Sequence, residues 1–239
     1  MTPIDKKKYY EGHRNRLREK FKTLGRQSLT DFEILELFLF HLIPYKDTKP
    51  IAKQLLLTFG TFDGIAMAEE KNLYKIDGVG PSTALALNIL GEIFIRRSKQ
   101  KIVKKPLLNS WDAVIDYCKI SDGYKTKENV HVLFLNKKLR LIADEILFAG
   151  TVDETPFYNR EVLKRALELN AVSIIVIHNH PSGNTAPSSA DIEQTKQLFH
   201  AAKAIGINLC DHLIVSKSSY TSLKNLGVFE GTAPLTLKH

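Results

Sequence analysis

The run Val172–Ile177 (VSIIVI) leads straight into His178-Asn179-His180 and is cut off by Pro181 and Gly183. It is too short to span a bilayer, which takes about 20 apolar residues. It is also too apolar for a loop, so it reads as a buried strand. Side chains alternate faces along a strand. His178 and His180 therefore project together from its C-terminal end, and Asn179 points away. A loop leads on to Ser188-Ser189-Ala190-Asp191, where a helix begins with Ile192, Leu198, Phe199, Ala202 and Ile205 on one face. Two neutral imidazoles and one carboxylate, from His178, His180 and Asp191, make a three-ligand zinc site with an open fourth position, the catalytic pattern. Taken singly, a histidine at a strand end is more often an ordinary polar residue. Ser188 with Asp191 also fits a capping box with its acid in the first helical turn. The joint arrangement is what points to a metal, and capping is compatible with it because a capped carboxylate is held rigidly.

The surrounding segments alternate. Helices are expected at Ser110–Tyr117 and Arg160–Leu169, the second ended by Asn170; strands are expected at Val130–Leu135, Leu139–Phe148, Ile207–Val215 and Tyr220–Ser222. That order predicts a mixed α/β layer with helices packed on a sheet. Asp211 and His212 are candidates to orient a ligand imidazole, whereas His131 has no ligand spacing and reads as structural. Cys118 and Cys210 are single and distant, so reduced, buried thiols are expected rather than a disulfide framework.

Charge divides the chain. Residues 1–105 hold 20 Lys and Arg against 12 Asp and Glu, and residues 106–239 hold 14 against 14, so the whole excess of +8 lies in the first part. We read an all-helical domain over 1–97, a basic linker over 98–106 ending at Pro106, and a metal-site domain over 107–239. In the first domain Thr30-Asp31-Phe32-Glu33 fits a capping box with Leu29 and Ile34 as its hydrophobic staple. Pro50 suits the first turn of a helix that stops at Gly60. Gly78-Val79-Gly80 then precedes a helix over Ser82–Arg97. This segment resembles a helix-hairpin-helix motif, whose turn amides hold a DNA phosphate irrespective of base sequence. A plain helix–helix connection carries the same short signal. The cluster Lys6-Lys7-Lys8, Arg14, Arg16, Arg18, Lys20 and Lys22 either extends such a surface or is a solvated helix face. No stretch is apolar enough to span a membrane, and the N-terminus has no secretory apolar core. A cytoplasmic protein is expected.

His178, His180, Ser188 and Asp191 spell H-x-H, seven residues, then S-x-x-D, and so resemble the JAMM signature of the MPN-type metalloproteases. The longer string HNHPSGNTAPSSAD, with Gly150-Thr151 upstream and Asp211–Val215 (DHLIV) downstream, is similar to the RadC family over nearly the whole chain. The resemblance implies a JAMM/MPN-like α/β fold, a curved mixed sheet with flanking helices, preceded by a small all-α helix-hairpin-helix domain. It implies a zinc ion on His178, His180 and Asp191, which lowers the pKa of water from about 15.7 toward 7 and polarises a carbonyl. The family places its general base, a glutamate, on an upstream strand. Glu145 is expected in that role, with its neighbour Asp144 facing the opposite side. Ser188 is expected to donate to the developing oxyanion rather than act as a nucleophile. The substrate implied is a peptide or protein; in peptidases of this sort loops around the groove set specificity, and nothing in Gly150–Asn159 (GTVDETPFYN) announces a recognised peptide.

Two kinds of function follow. One is a zinc-dependent hydrolase of amide or isopeptide bonds, brought to DNA by its first domain. The other is a DNA-binding accessory protein of repair or recombination, a label the RadC family carries, with a non-catalytic metal site. A metal-dependent nuclease fits less well, since such enzymes favour clustered carboxylates and magnesium. The complete ligand set together with Glu145 favours the hydrolase.

Overall fold

In the computed structural model the described residues are 3–103, 106–107, 111–150 and 158–230; of 3–11 and 26 the backbone alone is described. Thr151, most of the loop 150–159, and the side chains of Lys6-Lys7-Lys8 thus lie outside the described residues. The chain separates into two units, Met1–Ile93 and Phe94–His239.

The first unit is helical: α1 (Pro3–Leu24), α2 (Asp31–Leu42), α3 (Lys49–Phe59), the short α4 (Phe62–Ala66) and α5 (Glu70–Leu73), and the start of α6 (Pro81–Val103). Leu35, Leu39, Leu55, Ile65, Leu73 and Leu87 form its core. Helix α2 opens on the expected capping box: the Thr30 hydroxyl accepts from the Glu33 amide at 3.3 Å, and the Thr30 amide donates to the Glu33 carboxylate at 2.9 Å. Arg14 is not part of a solvated face. It is buried and donates to the carbonyls of Ile43, Pro44 and Lys46, which α2 and the turn after it leave unpaired within the helix.

The basic stretch read as a linker is helical up to Val103, because α6 continues through it. Residues 96–103 contain no Gly or Pro and several good helix formers, so nothing within that stretch breaks the helix. The composition changes near residue 105, but the compact units divide within α6.

The second unit holds a five-stranded sheet: β1 (Asn129–Leu135), β2 (Leu141–Ala149), β3 (Ser173–Asn179), β4 (Asn208–Val215) and β5 (Tyr220–Ser222). Its order is β2-β1-β3-β4-β5, with β3 and β4 parallel and the other neighbours antiparallel. Strand β3 is central and buried along its length, which explains a nearly continuous apolar run where a half-exposed strand would alternate. On one face Val130, Val132, Ile174, Val176 and Ile214 pack on Val162 and Ala166 of α8 (Asn159–Glu168) and Leu198 and Ala202 of α9 (Ser189–Ala204). On the other, Leu133, Ile175, Ile177 and Leu213 pack on Val114, Ile115 and Cys118 of α7 (Trp111–Asp122) and on Ile102. The buried side of α9 is Asp191, Thr195, Leu198 and Ala202, and Ile205 is exposed just past its end. Cys118 and Cys210 are buried and form no disulfide. No helix among the described residues is long and apolar enough to cross a membrane.

A buried polar network ties β1 and β2 to α7. His131 bonds Asp122 at 2.7 Å through Nδ1 and Asp144 through Nε2; Asp144 also accepts from Tyr117 and pairs with Lys99 at 2.7 Å. Burial opposes charge on His131, yet the two carboxylates outweigh it and hold the imidazole up at about 9. Asp122 is likewise kept ionised against burial, at about 2, chiefly by His131 and Lys125. The His131 contribution to stability is complete below about 6.5, where the unfolded imidazole is also charged, and is lost as pH rises through about 9. Thermal melts of the wild type should therefore fall between pH 7 and 10, and His131→Gln should start lower and flatten that slope. Equal slopes would contradict the assignment.

Candidate metal centre

Antiparallel pairing sets Val130 of β1 opposite His178 of β3, with Ile214 of β4 on the other flank. Continuing that register places Asn129 across from Asn179 and carries Glu128 toward His180. The His180 amide donates to the Val215 carbonyl at 2.9 Å, and Gly183, at φ +87, turns the chain back so that its amide meets the His180 carbonyl at 3.0 Å.

The two histidines converge as alternation requires, with ring centroids 5.0 Å apart. His180 Nδ1 donates to the Asn184 carbonyl at 2.7 Å, which leaves Nε2 as the free lone pair, 3.7 Å from Asp191 Oδ2. His178 lies between two carboxylates: Nδ1 is 3.1 Å from Asp191 Oδ1, and Nε2 is 3.4 Å from Glu128 Oε2. Burial would discharge His178, but Asp191 and then Glu128 overcome it and raise its pKa. Asp191 is held well below the usual carboxylate range; burial resists this, and the bonds from His178 and Ser188 prevail.

Asp191 is fixed from several directions. Its Oδ2 accepts the Ser188 amide at 2.8 Å and the Ser188 hydroxyl at 2.7 Å, while its own amide donates to Ser188 Oγ at 3.1 Å, a complete capping box. One turn on, the Thr195 hydroxyl donates to the Asp191 carbonyl at 2.5 Å and meets His212 Nδ1 at 2.6 Å. His212 is fully buried and driven down to about 3 by burial and by the charge on His178. It stacks on the His178 ring at 6.4 Å and 13°. His212, expected to orient a ligand imidazole, lies against the His178 ring and reaches the Asp191 carbonyl through Thr195. Asp211 turns the other way, to the Ser222 hydroxyl at 2.6 Å.

Two expectations need correction. Glu145 is on the expected strand and the expected face, with Asp144 opposite, but it pairs with Val132, two places along β1 from the residue that faces His178. Its carboxylate is gripped by Arg165 of α8 at 2.7 and 2.8 Å. The carboxylate that reaches the imidazoles is Glu128, just before β1. It was missed because its place depends on the pairing of β1 with β3; the available signal was a lone acid two residues ahead of an apolar run. Ser188, expected to serve an oxyanion, has its one proton committed to Asp191.

Among the described residues, Glu128, His178 and His180 each bring one ligand atom to within 4.8 Å of the others. Together with Asp191, the donors are two imidazoles and two carboxylates, borderline nitrogen and hard oxygen, a set that suits zinc. A profile of the RadC-like JAB domain matches residues 108–228, just over half of the chain. The chain belongs to that family. The match takes in all five strands and every residue of the metal centre, and with it the fold is a JAB/MPN-like α/β domain preceded by helices. Gly78, Val79 and Gly80 lie outside the match, in the first unit. Gly78 has φ +87, and a Cβ on it would meet Ile51 Cδ1 at 2.6 Å, so the tight turn before α6 needs glycine. Its leading helix is the single turn α5.

Because Ser188 holds Asp191, Ser188→Ala should weaken zinc binding by roughly 10- to 100-fold while costing the helix only about 1 kcal/mol. Competition with a chromophoric chelator measures this. Unchanged affinity would mean that Ser188 does not act through Asp191.

Proposed function

We propose that this chain is a zinc-dependent hydrolase of amide or isopeptide bonds in peptides or proteins. His178, His180 and Asp191 hold the ion, and Glu128 is the general base. When bound, zinc supplies Lewis acidity, which polarises a carbonyl and acidifies water. Glu128 takes the proton of the attacking water and passes it to the leaving amine. Asp191, locked by Ser188 and Thr195, stays ionised and fixed. His212 stays neutral and backs the His178 ring. The observation that carries this reading is the Glu128 carboxylate 3.4 Å from His178 Nε2, within one group with His180.

Glu128→Gln should retain about one zinc per chain and lose roughly 10²- to 10⁴-fold in turnover on peptide and isopeptide-linked substrates. Glu145→Gln should stay within a few-fold of wild type and lose some stability through Arg165. The opposite pattern would return the base to Glu145, and full activity in both variants would remove a carboxylate base altogether.

A second reading, a DNA-binding accessory protein with a non-catalytic metal site, is favoured by the +8 charge within residues 1–105 and by the Gly78 turn, which leads into exposed Pro81 and Ser82 at the start of α6. The two readings exclude each other at the metal site, but DNA binding by the first unit is compatible with the hydrolase, which it would carry to DNA. Duplex binding should weaken with salt at a log–log slope near −0.9 per phosphate contact and survive His178→Ala. Affinity indifferent to salt would eliminate the DNA role.

A further inference from the structure

Asn179 stands between the two histidines in sequence, but its side chain leaves the strand on the other side and is 1% exposed. Its Oδ1 accepts the Asn129 amide at 2.8 Å, and its Nδ2 donates to the Lys127 carbonyl at 3.0 Å, with the Lys125 carbonyl at 3.5 Å. Glu128 sits between the two peptide groups held in this way. Its own carbonyl accepts the Gly150 amide at 2.9 Å from the far side.

We propose that Asn179 is a positioning residue that sets the reach of the Glu128 carboxylate toward the imidazoles. Lys127 and Glu128 precede β1, and the last pair of the β1–β3 ladder is Val130 with His178, so the ladder itself stops two residues short of Glu128. The Asn179 amide takes over there. A carboxamide offers an acceptor and donors on one short arm, the combination that an N–H and a C=O two residues apart require. Aspartate keeps the acceptor but has no donor, and serine is too short to serve both. Since Asn179 is covalently between His178 and His180, base and ligands are indexed to the same three residues. Displacements of about 1 Å at reacting groups carry large rate penalties, which is what this clamp prevents.

The proposal rests on the metal-centre reading, and the test separates the two. The full-length chain is loaded with cobalt(II), whose visible bands respond to groups around the ion, as wild type, Asn179→Ala, Glu128→Gln and the double variant. Cobalt stoichiometry, the visible spectrum at one pH, and hydrogen exchange at the Asn129 amide are measured. Each form should bind one cobalt per chain. Asn179→Ala should shift the bands in the direction of Glu128→Gln, the double variant should match Glu128→Gln alone, and Asn129 exchange should accelerate. Bands at the wild-type position in Asn179→Ala, or additive shifts in the double variant, would overturn the positioning role while leaving the metal centre intact. A wild type that takes up no cobalt would remove the metal-centre reading and the proposal with it. Should Asn179→Ala fail to fold, Asn179→Asp carries the same comparison: it keeps the acceptor for Asn129, loses the donors to Lys127, and is expected to shift the bands part of the way. A wild-type spectrum from that variant would count against the clamp.

Discussion

The antiparallel pairing of β1 with β3 sets Val130 across from His178 and so decides which carboxylate can reach the imidazoles. That register is enforced away from the chemistry. Strand β3 is buried on both faces, and a slip of one residue would turn its whole apolar set to the wrong layer. Burial of Ile174, Val176, Ile175 and Ile177 in two separate clusters therefore fixes the position of His178 as firmly as any direct bond does. The capping box at the start of α9 does the same for Asp191. The centre is assembled from the ends of rigid elements, and the approach of Glu128, which lies ahead of β1, depends on a contact outside the ladder.

Three buried histidines show how far neighbours govern protonation. His178, between Asp191 and Glu128, is shifted toward its charged form against the effect of burial. His212, stacked on it and bonded to a hydroxyl, is kept neutral. On the opposite face of the sheet His131 is a cation because Asp122 and Asp144 flank it. The carboxylates beside His178 favour a proton on its ring. A divalent ion entering there would compete with that proton, so metal affinity is coupled to pH.

What could be read in the sequence was local. Alternation along one strand put His178 and His180 together and Asn179 opposite; Ser-x-x-Asp and Thr-x-x-Glu spacings placed two helix starts at the right residue. Alternation also separated Glu145 from Asp144 correctly. It could not give the register among β1, β2 and β3, nor the arrival of Arg165 from α8, so it could not show that Glu128 rather than Glu145 stands beside the imidazoles. The partner of the Ser188 hydroxyl likewise depended on where the Asp191 carboxylate came to rest. The charge boundary did not mark a break in the backbone: lysine and arginine are good helix formers, and α6 runs through the basic stretch to Val103.

X-ray absorption at the zinc edge of the zinc-loaded full-length protein tests the central claim most directly. Nitrogen and oxygen neighbours at about 2.0–2.1 Å, with outer scattering from two imidazoles that drops to one in His180→Ala, are expected. A sulfur neighbour, a single imidazole in the wild type, or failure to retain zinc would contradict the centre built on His178, His180 and Asp191.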